Sequence, residues 1–238
     1  MKAADVLIVA LDVNSRESAL SLVSALRPRV SRYKVGLELF TACGPGLVRE
    51  IIATGGQVFL DLKLHDIPNT VARAAVEAAR LGASMLTIHL SGGVMMARRA
   101  VDELEAHCQI HRLPRPKILG VTVLTSMAPG DLDQVGVRRP MEEQVLALAE
   151  MARGCGLDGV IASPLEVHPL RQAFGDDLLI VTPGVRPAGS EPDDQARTMT
   201  PRQAVEAGVD HIVVGRPIVR AVDPLAAAEA IMLEMDGA

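Results

Sequence analysis

Short apolar runs alternate with longer segments of mixed polarity along the whole 238-residue chain. The runs are rich in β-branched residues and have the length of buried strands. Turn residues or helical patterns separate them. Eight runs are predicted to be strands, over residues 5–12, 33–39, 57–63, 84–90, 117–124, 159–163, 178–184 and 211–216.

The segments between these runs carry helical periodicity. Apolar residues recur at spacings of three and four over 69–82, 141–156 and 200–209, and each segment has a glycine at or near its end. Alternation of this kind predicts parallel strands joined by crossover helices. Eight such units in this length favour an α/β fold with a single (β/α)8 TIM barrel over residues 1–238, although a doubly wound open sheet shows the same alternation.

Composition narrows the function classes. The net charge of −5 and the 2% of aromatic residues argue against nucleic-acid binding. Three cysteines without a C-x-x-C pair fit a reduced compartment, so we expect a cytoplasmic protein. The first apolar stretch is too short to cross a bilayer and is interrupted by Asp5 and Asp12, which predicts neither a membrane span nor a signal peptide.

Polar residues follow the predicted strands at their carboxyl ends, where barrel enzymes place their chemistry. These positions form the candidate site: Asp12, Lys34, Asp61, Lys63, Thr125, Ser126, Arg186, Gly215 and Arg216.

The densest group of charges lies in "DLKLHDIPNT", residues 61–70. Side chains alternate along a strand, so Phe59, Asp61 and Lys63 share one face, while the intervening leucines share the other and are expected to meet the helices. Asp61 and Lys63 are therefore predicted to point together into the barrel mouth. A group on the second strand, such as Lys34, would lie within contact distance of them.

Energetics decide whether this cluster is structural. Removing ions from water costs about as much free energy as their pairing returns. Apolar residues at these positions would therefore usually stabilise the fold equally well. At roughly 4 Å and an effective dielectric near 20, the attraction between two opposite charges is about 4 kcal/mol before the cost of desolvation. The cluster therefore indicates function. A lysine between carboxylates is expected to stay a cation, which makes it a positioned acid able to protonate a carbanion.

Two further features extend the site. Ile67-Pro68 predicts a turn into a helix, so Asp66 leaves the inward face and its geometry relative to Lys63 stays open. "VVGRPI", residues 213–218, combines a glycine for close approach, an arginine and a short helix start, which suits a phosphate. Arg186 and Gln195 in the long loop 184–201 are expected to close over it.

The chain resembles the bacterial orotidine 5'-phosphate decarboxylase family. The resemblance rests on segments that occur in family order and cover nearly the whole chain. They are "ALDV" (10–13), "YKVGLELF" (33–40), "DLKLHDIPNTV" (61–71), "VTVLTSM" (121–127), "VTPGVRP" (181–187) with Gln195 following, and "VVGRPI" (213–218).

This resemblance implies a homodimeric barrel of the phosphate-binding type that uses no metal or organic cofactor. It implies conversion of orotidine 5'-monophosphate to uridine 5'-monophosphate and CO2, the last step of pyrimidine synthesis. Lys34, Asp61, Lys63 and Asp66 resemble the family's charge network, and Lys63 matches the proton donor to C6 of the pyrimidine.

The remaining site residues are also carried over from the resemblance. Asp66, Ile67 and Thr70 are implied to complete the site of the partner subunit. Asp12 and Lys34 resemble the ribose contacts, and Thr125 and Ser126 border the pyrimidine. The implied phosphate and neighbouring contacts are Pro183, Arg186, Gln195, Gly215 and Arg216.

Two alternative functions stay open. A related barrel acting on a sugar phosphate has a similar D-x-K-x-x-D motif but uses magnesium, and a non-catalytic nucleotide-binding barrel would share the fold. His107 and His111 have the spacing of a helical metal pair, but no third ligand is evident nearby, so no metal site is predicted.

Overall fold

The computed structural model describes residues 3–187 and 199–237. Within them, eight parallel strands close into a barrel in chain order. The strands are β1 (Leu7–Ala10), β2 (Arg32–Gly36), β3 (Gln57–Leu64), β4 (Met85–His89), β5 (Lys117–Val121), β6 (Gly159–Ile161), β7 (Leu179–Pro183) and β8 (His211–Val214). All eight predicted strands are confirmed, and most of them are shorter than the apolar runs.

Helices follow the strands and cover the outside of the barrel. They are α1 (Ala3–Val6), α2 (Arg16–Leu26), α3 (Leu37–Ala53), α4 (Pro68–Leu81), α5 (Gly93–His111), α6 (Pro129–Gln134), α7 (Met141–Gly154), α8 (Val167–Phe174), α9 (Pro201–Ala207), α10 (Arg216–Val219) and α11 (Pro224–Asp236). The three predicted helices are confirmed as α4, α7 and α9. Gly82 and Gly208 end α4 and α9 with φ of 84° and 97°, a left-handed cap that favours glycine. The predicted first strand is wrong at its start, because residues 3–6 form a helical turn.

Closure of the sheet decides between the two predicted architectures. β1 pairs with β2 on one side and with β8 on the other, through Leu7 and Ile212. An open doubly wound sheet would leave two edge strands unpaired. The (β/α)8 barrel is therefore confirmed, while one domain over the full range 1–238 stays a prediction.

The core has two layers that follow from strand alternation. Inward side chains such as Ile8, Phe59 and Val181 fill the barrel, and outward side chains pack against the helices in a larger second cluster. Both clusters are almost fully buried. This packing supports the carboxyl ends of the strands as a rigid rim. No helix among residues 3–187 and 199–237 is long and apolar enough to cross a membrane.

Candidate active site

A cavity of about 220 Å³ opens at the carboxyl ends of the strands. Its floor is apolar, because inward residues of the barrel interior such as Phe59, Ile161 and Val213 form it. Its walls contain these predicted site residues: Asp12, Lys34, Asp61, Lys63, Thr125, Pro183, Arg186, Gly215 and Arg216. Such a cavity can hold a flat apolar ring that carries charged substituents.

Four charged side chains of this wall alternate in sign. Lys63 Nζ donates to Asp61 Oδ1 at 2.9 Å and to Asp61 Oδ2 at 2.8 Å. Lys34 Nζ lies 3.8 Å from Asp61 Oδ2 and donates to Asp12 Oδ1 at 3.1 Å. The side chains of Lys34 and Asp61 are only 13% and 12% exposed. The predicted contact of Lys34 with Asp61 is therefore present.

The strand register explains how these groups meet. Ala10 pairs with Lys34, and Gly36 pairs with Asp61, so Asp12 and Asp61 lie about one pleat above Lys34. The long Lys34 side chain reaches up between the two carboxylates. A Cβ atom at Gly36 would lie 3.0 Å from Lys34 Nζ, so glycine at this position leaves the space that the ammonium group occupies.

Lys63 departs from regular strand geometry. Its φ is 49°, in the left-handed region that non-glycine residues seldom adopt. The ladder pairs Leu60 with Leu86 and resumes at Leu64 with Ile88, so three residues of β3 face one residue of β4. A bulge of this kind redirects side chains, and a strained backbone of this type costs on the order of 1–3 kcal/mol. The predicted common face of Phe59, Asp61 and Lys63 is present, because all three side chains line the cavity, although the bulge interrupts the regular pairing of β3 with β4.

Sequence reasoning missed Thr87, the residue of β4 opposite the bulge. Its side chain is fully buried. Thr87 Oγ1 accepts a hydrogen bond from Lys63 N at 2.8 Å and donates one to Asp61 Oδ1 at 2.9 Å. Strand alternation could have found it, because Met85, Thr87 and His89 fall on the inward face of β4.

Arg186, Gly215 and Arg216 gather at the end of the cavity formed by β7 and β8. Gly215 precedes α10, and a Cβ atom there would lie 2.8 Å from Asp12 Oδ2. Glycine therefore allows the backbone to approach the first strand. Two guanidinium groups next to the backbone of a glycine, which has no side chain in the way, can bind a phosphate or another anion.

Some predicted residues lie apart from this cavity. Ser126 is exposed and is absent from its described lining, whereas its neighbour Thr125 takes part. Gln195 lies outside the described residues. The cavity also has wall residues that were not predicted, Val123, Leu124, Gly184, Val185 and Pro217.

Asp66, Ile67 and Thr70 lie on an exposed rim beside the cavity and outside its described lining. Ile67 is 66% exposed, although it is a large apolar residue. Asp66 Oδ1 accepts a hydrogen bond from Ile67 N at 2.6 Å, which holds the turn before α4. Within a single chain the structure therefore does not bring Asp66 into the charge network.

A second cavity of about 120 Å³ adjoins the network on the side of α3. Asp12, Lys34, Asp61 and Lys63 line both cavities. The start of α3, from Leu37 to Leu39, closes the second one. The two lysines are therefore accessible from two directions.

Two histidines stack next to Lys63. The rings of His65 and His89 are 5.3 Å apart between centroids, and His89 Nδ1 lies 2.7 Å from Ser91 Oγ. Burial lowers the pKa of His89, and the nearby His65 and Lys63 lower it further. A neutral His89 therefore adds no positive charge to the network at neutral pH.

The comparison with protein families identifies the chain over most of its length. Residues 5–231 match the model of the family described as orotidine 5'-phosphate decarboxylase / HUMPS family. The match spans all eight strands and the whole charge network.

Individual relatives agree with this match. The chain is 53% identical over 232 residues to the orotidine 5'-phosphate decarboxylase of Syntrophotalea carbinolica, covering 98% of this chain and 95% of the relative. It is 50% identical to the orotidine 5'-phosphate decarboxylase of Geobacter sulfurreducens, covering 98% of this chain and 97% of the relative. The crystal structure of orotidine 5'-phosphate decarboxylase from Lactobacillus acidophilus superposes with a TM-score of 0.86 at 45% identity, covering 98% of this chain and 99% of that one.

Proposed function

The chain belongs to the orotidine 5'-phosphate decarboxylase / HUMPS family, and on this basis we propose that it is a carboxy-lyase that converts orotidine 5'-monophosphate to uridine 5'-monophosphate and CO2. This reaction is the last step of de novo pyrimidine synthesis. One observation carries the proposal. The Lys63 ammonium group lies in contact with both oxygens of Asp61 at the edge of an apolar floor.

The dimensions and polarity of the cavity support a nucleoside monophosphate as the substrate. Its phosphate would bind to Arg186, Gly215 and Arg216, with Pro183 nearby and Gln195 contributing from the long loop. Asp12 and Lys34 would hold the ribose hydroxyl groups. The pyrimidine would lie over the apolar floor, bordered by Thr125 and Ser126, with its C6 toward Lys63.

The proposed chemistry needs one bond to break and one to form. The bond between C6 and the carboxylate breaks, CO2 leaves, and the electron pair stays on C6. The Lys63 ammonium group stabilises this carbanion and then gives it a proton, which forms the new C6–H bond. Lys63 afterwards recovers a proton from water. The chain supplies a positioned cation at the place where negative charge develops.

Asp61 and the phosphate contribute in different ways. Asp61 holds the Lys63 ammonium group and would repel the substrate carboxylate, which raises the energy of the bound substrate. Phosphate binding takes place far from the reacting carbon. Its binding energy orders the loop and the charged groups, so that remote affinity increases the rate.

We also propose a homodimer in which Asp66, Ile67 and Thr70 complete the site of the partner. Their exposure beside the cavity supports this arrangement. The second cavity reaches Lys34 and Lys63 from the side of α3 and has room for a carboxylate. A further acidic group there would extend the alternating network. A cytoplasmic location is consistent with the free cysteines Cys43, Cys108 and Cys155.

The test is a continuous ultraviolet assay of orotidine 5'-monophosphate with the purified full chain in the presence of a chelator. We expect complete conversion to uridine 5'-monophosphate at an undiminished rate, because no step uses a metal. Release of CO2 is measured in parallel by mass spectrometry.

The outcomes separate the alternatives. Loss of activity in chelator, with recovery in magnesium and turnover of a sugar phosphate, would support the magnesium-dependent relative. Tight binding of uridine 5'-monophosphate without turnover would support a non-catalytic nucleotide-binding barrel. Either result overturns the proposal.

A further inference from the structure

Thr87 lies where the backbone bulge meets the charge network, and its hydroxyl group contacts both. We propose that Thr87 is a positioning residue, whose hydroxyl holds Lys63 in its left-handed conformation and orients Asp61 for the reaction. This inference rests on the proposed function, because it assigns Lys63 and Asp61 their chemistry.

The pairing of β3 with β4 shows why a side chain is needed here. Asp61, Leu62 and Lys63 together face only Thr87, since Leu60 pairs with Leu86 and the ladder resumes at Leu64. A bulged residue loses its regular ladder partner. The Lys63 N–H group instead donates to Thr87 Oγ1 at 2.8 Å. The hydroxyl therefore replaces the missing backbone acceptor at the residue with φ of 49°.

The chemistry of the three groups fixes the direction of both hydrogen bonds. A backbone N–H can only donate, and an ionised carboxylate can only accept. The single hydroxyl proton of Thr87 must then point to Asp61 Oδ1, 2.9 Å away, while its lone pair faces Lys63 N. An isosteric valine would break both bonds, whereas serine would keep both. The site therefore requires a hydroxyl group and not only the volume of threonine.

This link ties the backbone of Lys63 to the carboxylate that its own side chain contacts. Asp61 Oδ1 accepts hydrogen bonds from both Thr87 Oγ1 and Lys63 Nζ, each at 2.9 Å. Rotation of Asp61 would therefore disturb the ammonium group as well. Because Thr87 is fully buried and is absent from the described cavity lining, it would act on the reaction through Asp61 and Lys63 rather than on the substrate.

The experiment compares Thr87→Val with Thr87→Ser and with Thr122→Val. Thr122 is a matched control, since it is also buried and its hydroxyl donates to Ile161 O at 2.9 Å, away from the charged residues. We expect Thr87→Val to lower kcat about 10-fold to 100-fold, because small misplacements of reacting groups are costly. KM and the affinity for uridine 5'-monophosphate should change less than about threefold, since substrate contacts remain.

Thr87→Ser should restore kcat to within about threefold of the wild type. Thr122→Val should match the wild type in kcat and in thermal stability. The inference is overturned if folded Thr87→Val keeps its kcat. It is also overturned if Thr87→Val and Thr122→Val lose activity equally. Restored activity in the serine variant supports a hydroxyl-specific role that a merely structural effect would not produce.

Amide hydrogen exchange on the wild-type protein gives a second readout that needs no variant. The Lys63 amide should be protected by its bond to Thr87, and exchange at the rate of an unstructured peptide would contradict the geometry. If the wild type fails to convert orotidine 5'-monophosphate, the proposed function fails. The exchange experiment then still tests the Thr87 contact separately.

Discussion

Two groups of partly buried ion pairs lie at opposite ends of the barrel. At the amino end of the strands, Arg115 pairs with Asp158 and Arg171 pairs with Asp210. At the carboxyl end, Lys34 and Lys63 surround Asp61. The side chains of both groups are mostly sheltered from solvent.

The ion pairs at the amino end make several hydrogen bonds to backbone groups. Asp158 Oδ2 accepts from Ile118 N at 2.7 Å, and Asp210 Oδ2 accepts from Ile180 N at 2.7 Å. Each aspartate directly precedes a strand and joins it to the preceding strand. Arg171 also donates to the carbonyl groups of residues 175, 178 and 208. These pairs therefore fasten the ends of strands.

The group at the carboxyl end is arranged differently. The Lys63 side chain is 32% exposed and faces the cavity, and its contacts with Asp61 leave room for a ligand beside it. The backbone of Lys63 is itself strained, because its φ lies in the left-handed region. Ion pairs of similar exposure therefore differ in the hydrogen bonds that they make to the backbone. On the proposed function, the pairs at the amino end stabilise the barrel, and the group at the carboxyl end serves the reaction.

The largest predicted effect is that of Lys63→Ala on turnover. We expect kcat to fall by about 10⁴-fold or more, because the variant loses both the cation and the proton donor. Binding of uridine 5'-monophosphate should stay measurable by calorimetry. Lys117→Ala, an exposed lysine at the amino end, is the control and should keep full activity. A Lys63 variant that retains most activity would refute the assigned chemistry.

The next effect is on stability, at the opposite end of the barrel. Asp210→Asn should lower the free energy of unfolding by about 2 kcal/mol, because the hydrogen bonds from Arg171 and Ile180 N lose the negative charge of their acceptor. Its kcat at 25 °C should match the wild type. Asp176→Asn is the matched control, since its exposed carboxylate lies 4.0 Å from the same arginine. A selective loss of kcat in Asp210→Asn would erase the contrast between the two ends.

A smaller effect is expected where the backbone approaches Asp12. Gly215→Ala places a Cβ atom 2.8 Å from Asp12 Oδ2 and should displace that carboxylate. We expect kcat/KM to fall about tenfold. Gly46→Ala, where a Cβ atom meets nothing within 4 Å, should leave steady-state kinetics unchanged. Equal kinetics for the two variants would show that the position of Asp12 is unimportant.

The smallest effect concerns pH and the amino end. Burial lowers the pKa of His211 below its usual 6.5, with Arg32 as a further cause, and its Nδ1 lies 3.0 Å from Asp5 O. The unfolded chain therefore binds this proton more tightly than the folded chain does. The contribution of His211 to the free energy of unfolding should therefore be constant above about pH 6.5 and should fall as the pH drops from there through the lower folded pKa.

Denaturant unfolding at several pH values measures this dependence. His211→Asn should reduce the loss of stability below pH 6.5, whereas the exposed His168→Asn should follow the wild type. An unchanged slope in His211→Asn would place the cause elsewhere. His89, whose pKa is also lowered by burial, would then be the next residue to replace.

Most of the fold was predictable because strand and helix periodicities alternate without interruption. The candidate site followed from one rule, that the carboxyl ends of barrel strands meet, applied to Asp12, Lys34, Asp61 and Arg216. The rule needs only strand order and alternation. It required no knowledge of the exact pairing.

The bulge at Lys63 was not predictable, because lysine has no preference for positive φ and the shift arises from pairing with β4. Strand alternation places Thr87 on the inward face of β4, but a single hydroxyl group in an apolar strand is a weak signal for a role at the site. Asp158 and Asp210 were also missed, because their partners are backbone groups on another strand. Contacts between distant segments, rather than local pattern, determine all three features.

The central claim is that the charges at the carboxyl end serve chemistry and not stability. Thermal unfolding of the triple variant Lys34→Met, Asp61→Asn, Lys63→Met tests it most directly. We expect a Tm equal to or above that of the wild type, with no detectable turnover, because removing the three most buried charges together leaves only Asp12 without its partner, and the Asp12 side chain is 49% exposed. A Tm well below that of the wild type would contradict the claim and make the network a structural element of the barrel.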